Sequence, residues 1–261
     1  MLRRILSTFK GNLPLAPSGA VPAGSRIYAV GDIHGRLDLL DDILGRIEGD
    51  DADRMPAVTT VIFLGDLIDR GPASAQVVQR LLDLSKRTDR VRFLLGNHEE
   101  VFLKALAGEK GALPFFLRIG GKQTVLSYGI TEEEYRAADY DLLAALLRQR
   151  VPQAHIDFLN GFEDLIEIGD FAFVHAGIRP DVPLANQVPG TLRWIRDEFL
   201  NHRGALEKII VHGHSITEEV EEKRWRIGID TGAFASGRLT AMGFESDRRW
   251  VLQTGAADTS F

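Results

Sequence analysis

The stretch "FLLGNHEE", residues 93–100, starts as an apolar run and stops in Gly-Asn-His-Glu. A short apolar run bounded by a turn signal reads as a buried strand. An amide and an imidazole at its end add nothing to a core, because burying an unpaired polar group is costly. The same arrangement recurs in "YAVGDIHG" (28–35), "VIFLGDLIDRG" (61–71), "FAFVHAG" (171–177) and "IIVHGHS" (209–215). Each time a strand-length apolar run carries Asp, Asn or His onto a turn that holds glycine.

The segments between these runs set the fold class. Arg26–Val30 reads as a strand and Leu37–Ile47 as a helix, with Leu37, Leu40, Ile43, Leu44 and Ile47 on one face. Val58–Leu64 is a strand, Ala73–Ser85 a helix and Val91–Leu95 a strand. Strands alternating with helices imply right-handed crossovers and a partly parallel sheet. Functional groups in such sheets gather beyond the carboxyl ends of the strands. Gly31-Asp32, Gly65-Asp66 and Gly96-Asn97 can therefore converge on one edge. Residues at about 100–160 read as an inserted helical section with Gly and Pro breaks. A β-rich second half follows, with Leu165–Ile168 and Phe171–Val174 around the tight-turn pair Gly169-Asp170. Ile209–Val211, Ile227–Ile229, Leu239–Gly243 and Trp250–Gln253 complete it. The expected class is α/β (α+β).

The 261 residues, 44% of them hydrophobic, can bury a sizeable core as one large domain. A net charge of -6 and a pI near 5.7 argue against nucleic acid or an anionic membrane as partner, while a local basic pocket stays compatible. Cysteine is absent, which excludes a disulfide framework, a thiolate metal site and a thiolate nucleophile. That suits a cytoplasmic location. No apolar run reaches membrane-spanning length. Residues 1–24 read as a flexible, Pro/Gly/Ser-rich lead-in to the first strand, and 25–255 as a single domain.

Asp32, His34, Asp66, Asn97, His175 and His214 make a set of oxygen and imidazole donors. One carboxylate can bridge two divalent ions, and two cations keep the carboxylates ionised and the imidazoles unprotonated. Taken singly, each has an ordinary explanation. A Gly-Asp after a strand is commonly a turn, Asn97 can cap a helix, and a lone His can be a satisfied core imidazole. Jointly they are harder to dismiss, because five of the seven histidines (His34, His98, His175, His212, His214) fall in these motifs. His155 and His202 read as solvated or interface residues.

"GDIHG", "GDLIDRG", "GNHE", "HAG" and "GHS", in this order over residues 31–215, resemble the metallophosphoesterase superfamily. More closely they resemble PPP-type serine/threonine protein phosphatases in their compact bacterial and phage form. The resemblance implies a calcineurin-like fold, a two-sheet β-sandwich flanked by helices with a dinuclear metal site at the strand ends. Asp32 and His34 would hold the first metal and Asp66 would bridge. Asn97, His175 and His214 would complete the second site, with His212 behind them. Manganese is the expected metal, with iron and zinc as other pairs. A hydroxide held between the metals would attack phosphorus directly. Arg70 and Arg196 would bind phosphoryl oxygens, although Arg193 lies one helical turn away. His98, oriented by Asp69, would protonate the leaving group, and Glu99 would serve the helix start. The implied substrates are phosphoserine and phosphothreonine proteins or peptides, with phosphotyrosine as an extension. The alternative is a bis(nucleosyl) tetraphosphate hydrolase. That branch typically carries Ala in place of Asp69 and "GNHD" in place of "GNHE". A non-catalytic metal-binding scaffold for phosphorylated partners is a third reading, disfavoured because every expected catalytic position is occupied.

Overall fold

The computed structural model of the protein describes residues 19–255. The chain runs β1 (Ser25–Val30), α1 (Leu37–Ala52), β2 (Val58–Phe63), α2 (Ser74–Ser85), β3 (Val91–Phe93) and α3 (Asn97–Leu106). The helical section continues as α4 (Ala112–Phe116), a π-turn (Leu117–Gly121), α5 (Lys122–Ser127), α6 (Glu132–Ala137), α7 (Tyr140–Arg150) and α8 (Gln153–Asn160). Then come β4 (Leu165–Ile168), β5 (Phe171–Val174), α9 (Pro189–Trp194), α10 (Asp197–Leu200) and β6 (Ile209–His212). β7 (Glu221–Glu222), β8 (Arg226–Gly228), α11 (Ala233–Ser236), β9 (Thr240–Glu245) and β10 (Arg248–Gln253) finish the fold.

Ten strands make two five-stranded sheets, ordered β10-β9-β1-β2-β3 and β4-β5-β6-β8-β7. In the first sheet β1, β2 and β3 are parallel; in the second β5, β6 and β8 are parallel. Strand alternation divides each strand between two cores. Ile27 and Ala29 of β1 pack with Phe171 and Phe173 of β5, Val211 and Phe244 between the sheets. Tyr28 and Val30 face the opposite way, against Leu40, Ile43, Val77 and Leu81 of α1 and α2. Ala172, Val174 and Ile210 pack outward under Leu192 and Phe199. Both faces of β1, β5 and β6 are thus buried, which is why they read as near-continuous apolar runs.

The calcineurin-like arrangement of two mixed sheets with flanking helices is present, and the Gly169-Asp170 turn joins β4 to β5. Residues 1–18 of the expected lead-in lie outside the described residues. Gly19 and Ala20 are fastened before β1, donating their N–H groups to Asp170 Oδ2 at 3.0 and 3.1 Å, and Val21 is buried. Among the described residues no helix is long and apolar enough to cross a membrane. His155 departs from its expected solvated setting. It is buried, contacting the Tyr128 hydroxyl at 3.0 Å and Gln79 Oε1 at 2.9 Å.

Candidate metal centre and active site

Every parallel strand of the two sheets except β3 ends within a few residues of a buried polar side chain, and β3 delivers Asn97 through Leu94-Leu95-Gly96. Asp66 stands at the centre. Its Oδ2 faces His34 Nε2 at 3.6 Å and His98 Nε2 at 3.8 Å, while its Oδ1 faces His175 Nε2 at 3.4 Å. The two oxygens of one carboxylate therefore address two groups of imidazoles. Two compact donor groups share it: His34, Asp66 and His98, and Asp66, His175 and His214.

Hydrogen bonds fix the ring orientations. His34 Nδ1 lies 2.7 Å from Ile68 O and His175 Nδ1 2.7 Å from Leu64 O. A proton on each Nδ1 satisfies those carbonyls and leaves Nε2 as a lone pair turned into the cluster. His175 Nε2 then meets Asn97 Oδ1 at 2.9 Å. Two acceptors at that distance repel unless a cation serves both. His214 Nε2 is buried and has no hydrogen-bond partner among the described residues. Burial holds His34 down to about 3 and lowers His175 and His214 as well. Burial opposes ionisation of Asp66, but the four surrounding histidines outweigh it and lower its pKa. Unprotonated imidazoles, an ionised carboxylate and an amide oxygen make a donor set that fits divalent ions.

Close backbone approach makes this geometry possible. A Cβ on Gly96 would stand 2.2 Å from Asp66 Oδ1, and one on Gly213 2.1 Å from Asp32 Oδ1. Several donors also sit in the left-handed region: His34 (φ 47°), Asp66 (49°), Asp69 (73°), Arg70 (66°) and His214 (62°). Glu99 holds the turn that carries Asp66. Its carboxylate accepts the N–H groups of Asp66 (2.9 Å), Leu67 (2.8 Å), Ile68 (3.2 Å) and Gly96 (3.1 Å). The helix-start role expected for it is there, as half of a capping box, together with three bonds to a turn 31–33 residues distant in sequence.

Asp32 lies in neither compact donor group. Both its oxygens accept the His214 N–H, at 3.2 and 3.1 Å. Burial, then the charges of Asp230 and Asp66, raise its pKa well above the ordinary carboxylate range. Asp230 was not among the expected site residues. It follows β8 in "RIGIDTG" (226–232), the same apolar run ending in Asp and Gly as the other motifs. Its Oδ2 has no partner among the described residues.

His98 Nδ1 lies 2.6 Å from Asp69 Oδ2, and both side chains are buried. Burial works against a charged His98, but Asp66 and Asp69 outweigh it and raise its pKa. Asp69 is itself oriented by a residue that sequence reasoning missed. Thr124 of α5 donates its hydroxyl to Asp69 Oδ1 at 2.5 Å and accepts the Asp69 N–H at 2.9 Å. The helical insert thereby reaches the site. It also contacts Arg70, whose N–H donates to Gly120 O at 3.2 Å.

The Arg70 guanidinium lies 2.8 Å from His34 Nε2 and 3.1 Å from His98 Nε2 and stands over the Phe234 ring at 4.7 Å. Arg196 is exposed at the start of α10, and its charge helps to lower the pKa of His175 and His214. Arg193 points elsewhere, pairing with Asp164 at 2.6 Å and Glu100 at 3.7 Å. His212 turns away from the cluster, its ring edge-on to Phe199 at 5.1 Å. Arg36 pairs with Asp38 at 2.6 Å.

The chain belongs to the calcineurin-like phosphoesterases, a family that matches residues 25–258. It is a metallophosphoesterase, a hydrolase of phosphoesters. It is 28% identical to the asymmetrical bis(5'-nucleosyl)-tetraphosphatase PrpE of Anoxybacillus flavithermus, over 82% of this chain and 88% of that one. It is 30% identical to the symmetrical bis(5'-nucleosyl)-tetraphosphatase of Acidovorax ebreus over 70% of this chain, and spans about half (51%) of that longer relative. It is 29% identical to serine/threonine-protein phosphatase 2 of Escherichia coli, over 82% of this chain and 90% of that one. Among solved structures, a cold-active protein tyrosine phosphatase superposes with a TM-score of 0.58 at 19% identity, covering 90% of this chain and 82% of that one, a likeness of fold. The broad family is shared; its tetraphosphatase and protein-phosphatase members stand at similar identity to this chain.

Proposed function

We propose that this metallophosphoesterase hydrolyses bis(5'-nucleosyl) tetraphosphates. The observation that carries the reading is the near full-length similarity to an asymmetrical bis(5'-nucleosyl)-tetraphosphatase, joined by the symmetrical enzymes. It favours the alternative of the sequence reading over phosphoprotein hydrolysis.

The proposed roles are those the family resemblance implies; the two compact donor groups around Asp66 support His34, Asp66, His175 and His214 among them. Asp32, His34 and Asp66 hold one divalent ion; Asp66, Asn97, His175 and His214 hold the other, with manganese as the proposed metal. Bound there, two such ions supply charge neutralisation and activation of the attacking water. Arg70 and Arg196 grip phosphoryl oxygens through charge-assisted hydrogen bonds. His98, held by Asp69, delivers a proton from Nε2 to the departing oxygen.

The His98–Asp69 pair favours a second reading, a phosphoprotein phosphatase. A nucleotide departs readily as a stabilised phosphate anion, whereas the alkoxide of serine departs poorly unless protonated. A built proton donor matters most for the latter, and the Escherichia coli relative acts in that sense by name. A panel on metal-loaded protein separates the readings, using diadenosine tetraphosphate, phosphoserine, phosphothreonine and phosphotyrosine peptides, and nitrophenyl phosphate. The proposal expects kcat/KM for the tetraphosphate to exceed that of every phosphopeptide by about tenfold or more. The reverse ranking establishes the second reading in its place.

A further inference from the structure

Six strands run parallel to a neighbour, β1, β2 and β3 in one sheet and β5, β6 and β8 in the other. Five of them lead at their carboxyl ends to proposed metal donors: Asp32, Asp66, Asn97, His175 and His214. The sixth, β8, leads to Asp230, which the proposed roles leave unused. Its pairing with β6 puts its carboxyl end on the same edge as His214. Asp230 is 1% exposed, and its Oδ2 has no hydrogen-bond partner among the described residues. His214 Nε2, a proposed metal donor, is enclosed and unpaired in the same way. Leaving a buried acceptor unpaired is costly, and more so for a charged one.

Local bonds hold Asp230 in place. Its Oδ1 accepts the Gly232 N–H at 2.9 Å, and its carbonyl accepts the Thr217 N–H at 3.0 Å. A Cβ on Gly31 would stand 2.7 Å from Ile229 O and 3.7 Å from Asp230 Cα. The end of β1 in one sheet thus touches the segment after β8 in the other, which sets Asp230 beside Asp32. The two side chains come within hydrogen-bonding range of each other. Ionised carboxylates are acceptors only, so such a pair needs a proton or a cation. Two observations favour the cation. Asp32 already accepts the His214 N–H on both oxygens, at 3.2 and 3.1 Å. The charge of Asp66 also bears on both Asp32 and Asp230, so a third carboxylate adds to the demand for positive charge.

We infer that Asp230 is a positioning residue of the metal centre, the carboxylate that stands beside Asp32 and strengthens the first metal position. It acts through Asp32, holding negative charge next to it and keeping it turned toward the ion. Carboxylates that support a ligand in this way raise metal affinity, and added ligand charge tightens the hold on a divalent ion. The first position is then richer in carboxylate than the second, where Asn97, His175 and His214 prevail. A carboxylate-rich position suits a hard divalent cation such as manganese. The inference rests on the two-metal reading above and adds to it which position depends on Asp230.

The test is calorimetric titration of metal-free protein with manganese, in wild type and Asp230→Asn, with the bound metal counted by elemental analysis. Asparagine keeps the shape and the acceptor for the Gly232 N–H. Its amide N–H also stands in for a proton shared with Asp32, but it carries no charge. Wild type is expected to bind two ions. Asp230→Asn should bind one of them about tenfold or more weakly and the other as before. The manganese dependence of nitrophenyl phosphate hydrolysis should shift by the same factor, with kcat recovered at saturating metal. Two ions held as tightly by Asp230→Asn as by wild type overturn the proposal and assign the carboxylate pair to a shared proton. A metal-free variant that melts below wild type, with kcat that added metal does not recover, shows that Asp230 serves the fold alone and also overturns it. Wild type that binds fewer than two ions removes the two-metal reading, and the inference with it.

Discussion

Asp69 Oδ2 and His98 Nδ1 are 2.6 Å apart with both side chains buried, and the Thr124 hydroxyl fixes the other Asp69 oxygen at 2.5 Å. The imidazole is thereby locked with Nε2 turned toward Asp66 and Arg70. A proton donor in this position helps a reaction in proportion to how poor its leaving group is. His98→Asn should therefore slow phosphoserine hydrolysis by about 10²–10⁴-fold, with a visibly smaller loss on nitrophenyl phosphate and diadenosine tetraphosphate. Asp69→Asn and Thr124→Val should show the same selectivity more weakly. Equal losses on all three substrates, with metal content intact, would mean that His98 binds phosphate and that the proton comes from elsewhere.

Asp66 presents one oxygen to each imidazole group, so its replacement should cost both ions. Asp66→Asn is expected to lower metal content at both positions by elemental analysis and to abolish turnover. Retention of two equivalents of metal with ordinary activity would rule out a bridging role.

Neither Arg70 nor Arg196 is a proposed metal ligand, although the Arg70 guanidinium lies 2.8 Å from His34 Nε2. Arg70→Ala and Arg196→Ala should each lower kcat/KM about tenfold or more, as expected for a lost charge-assisted hydrogen bond worth about 1.5–3 kcal/mol, and should weaken inhibition by inorganic phosphate. Arg193 is occupied by Asp164 and Glu100. If Arg193→Ala mimics this loss while Arg196→Ala does not, the phosphate contact lies one turn earlier.

Asp50 offers a stability measurement away from the site. Its carboxylate accepts Tyr28 Oη–H at 2.6 Å, Trp250 Nε1–H at 2.9 Å and Arg54 Nε–H at 2.8 Å. Burial opposes its ionisation, but these donors prevail and lower its pKa. Ionised Asp50 therefore contributes stability above the unfolded carboxylate value, and that contribution is lost as pH falls through the folded value. Asp50→Asn should cost about 1–3 kcal/mol at pH 7 and distinctly less at the acid end of the folded range. A gap between the two melting temperatures that ignores pH would refute the linkage.

The strand ends were legible because each is a local pattern, an apolar run followed by a polar residue and glycine. That pattern brought Asp66, His34, His175, His214 and Asn97 into view one by one, and the parallel topology explains their meeting. Asp230 carried the same signal and could have been read from "RIGIDTG". Thr124 could not. Its bond to Asp69 spans 55 positions and comes from a helix whose pattern reports packing alone. Glu99 was legible as a helix-start residue, yet its hold on the Asp66 turn depends on how α3 meets the end of β2. The choice of His214 over His212 rested on family likeness, because strand alternation would put both on one face. The turn at Gly213 breaks that alternation, so His212 meets Phe199 while His214 meets His175 at 5.0 Å.

The left-handed backbone at His34, Asp66, Asp69, Arg70 and His214 has a consequence for anyone who evolves this protein for heat resistance. Of the six non-glycine residues with positive φ among the described residues, five belong to the site, and Ser246 is the sixth. Each such conformation costs on the order of 1–3 kcal/mol, sustained by the surrounding scaffold. Glycine would adopt the same backbone without that cost. Selection for melting temperature alone would thus favour a change at the half-buried Arg70, where no buried partner depends on a lost carboxylate, and would accumulate robust, inert descendants. Screens on this chain should couple thermal challenge to turnover from the first round.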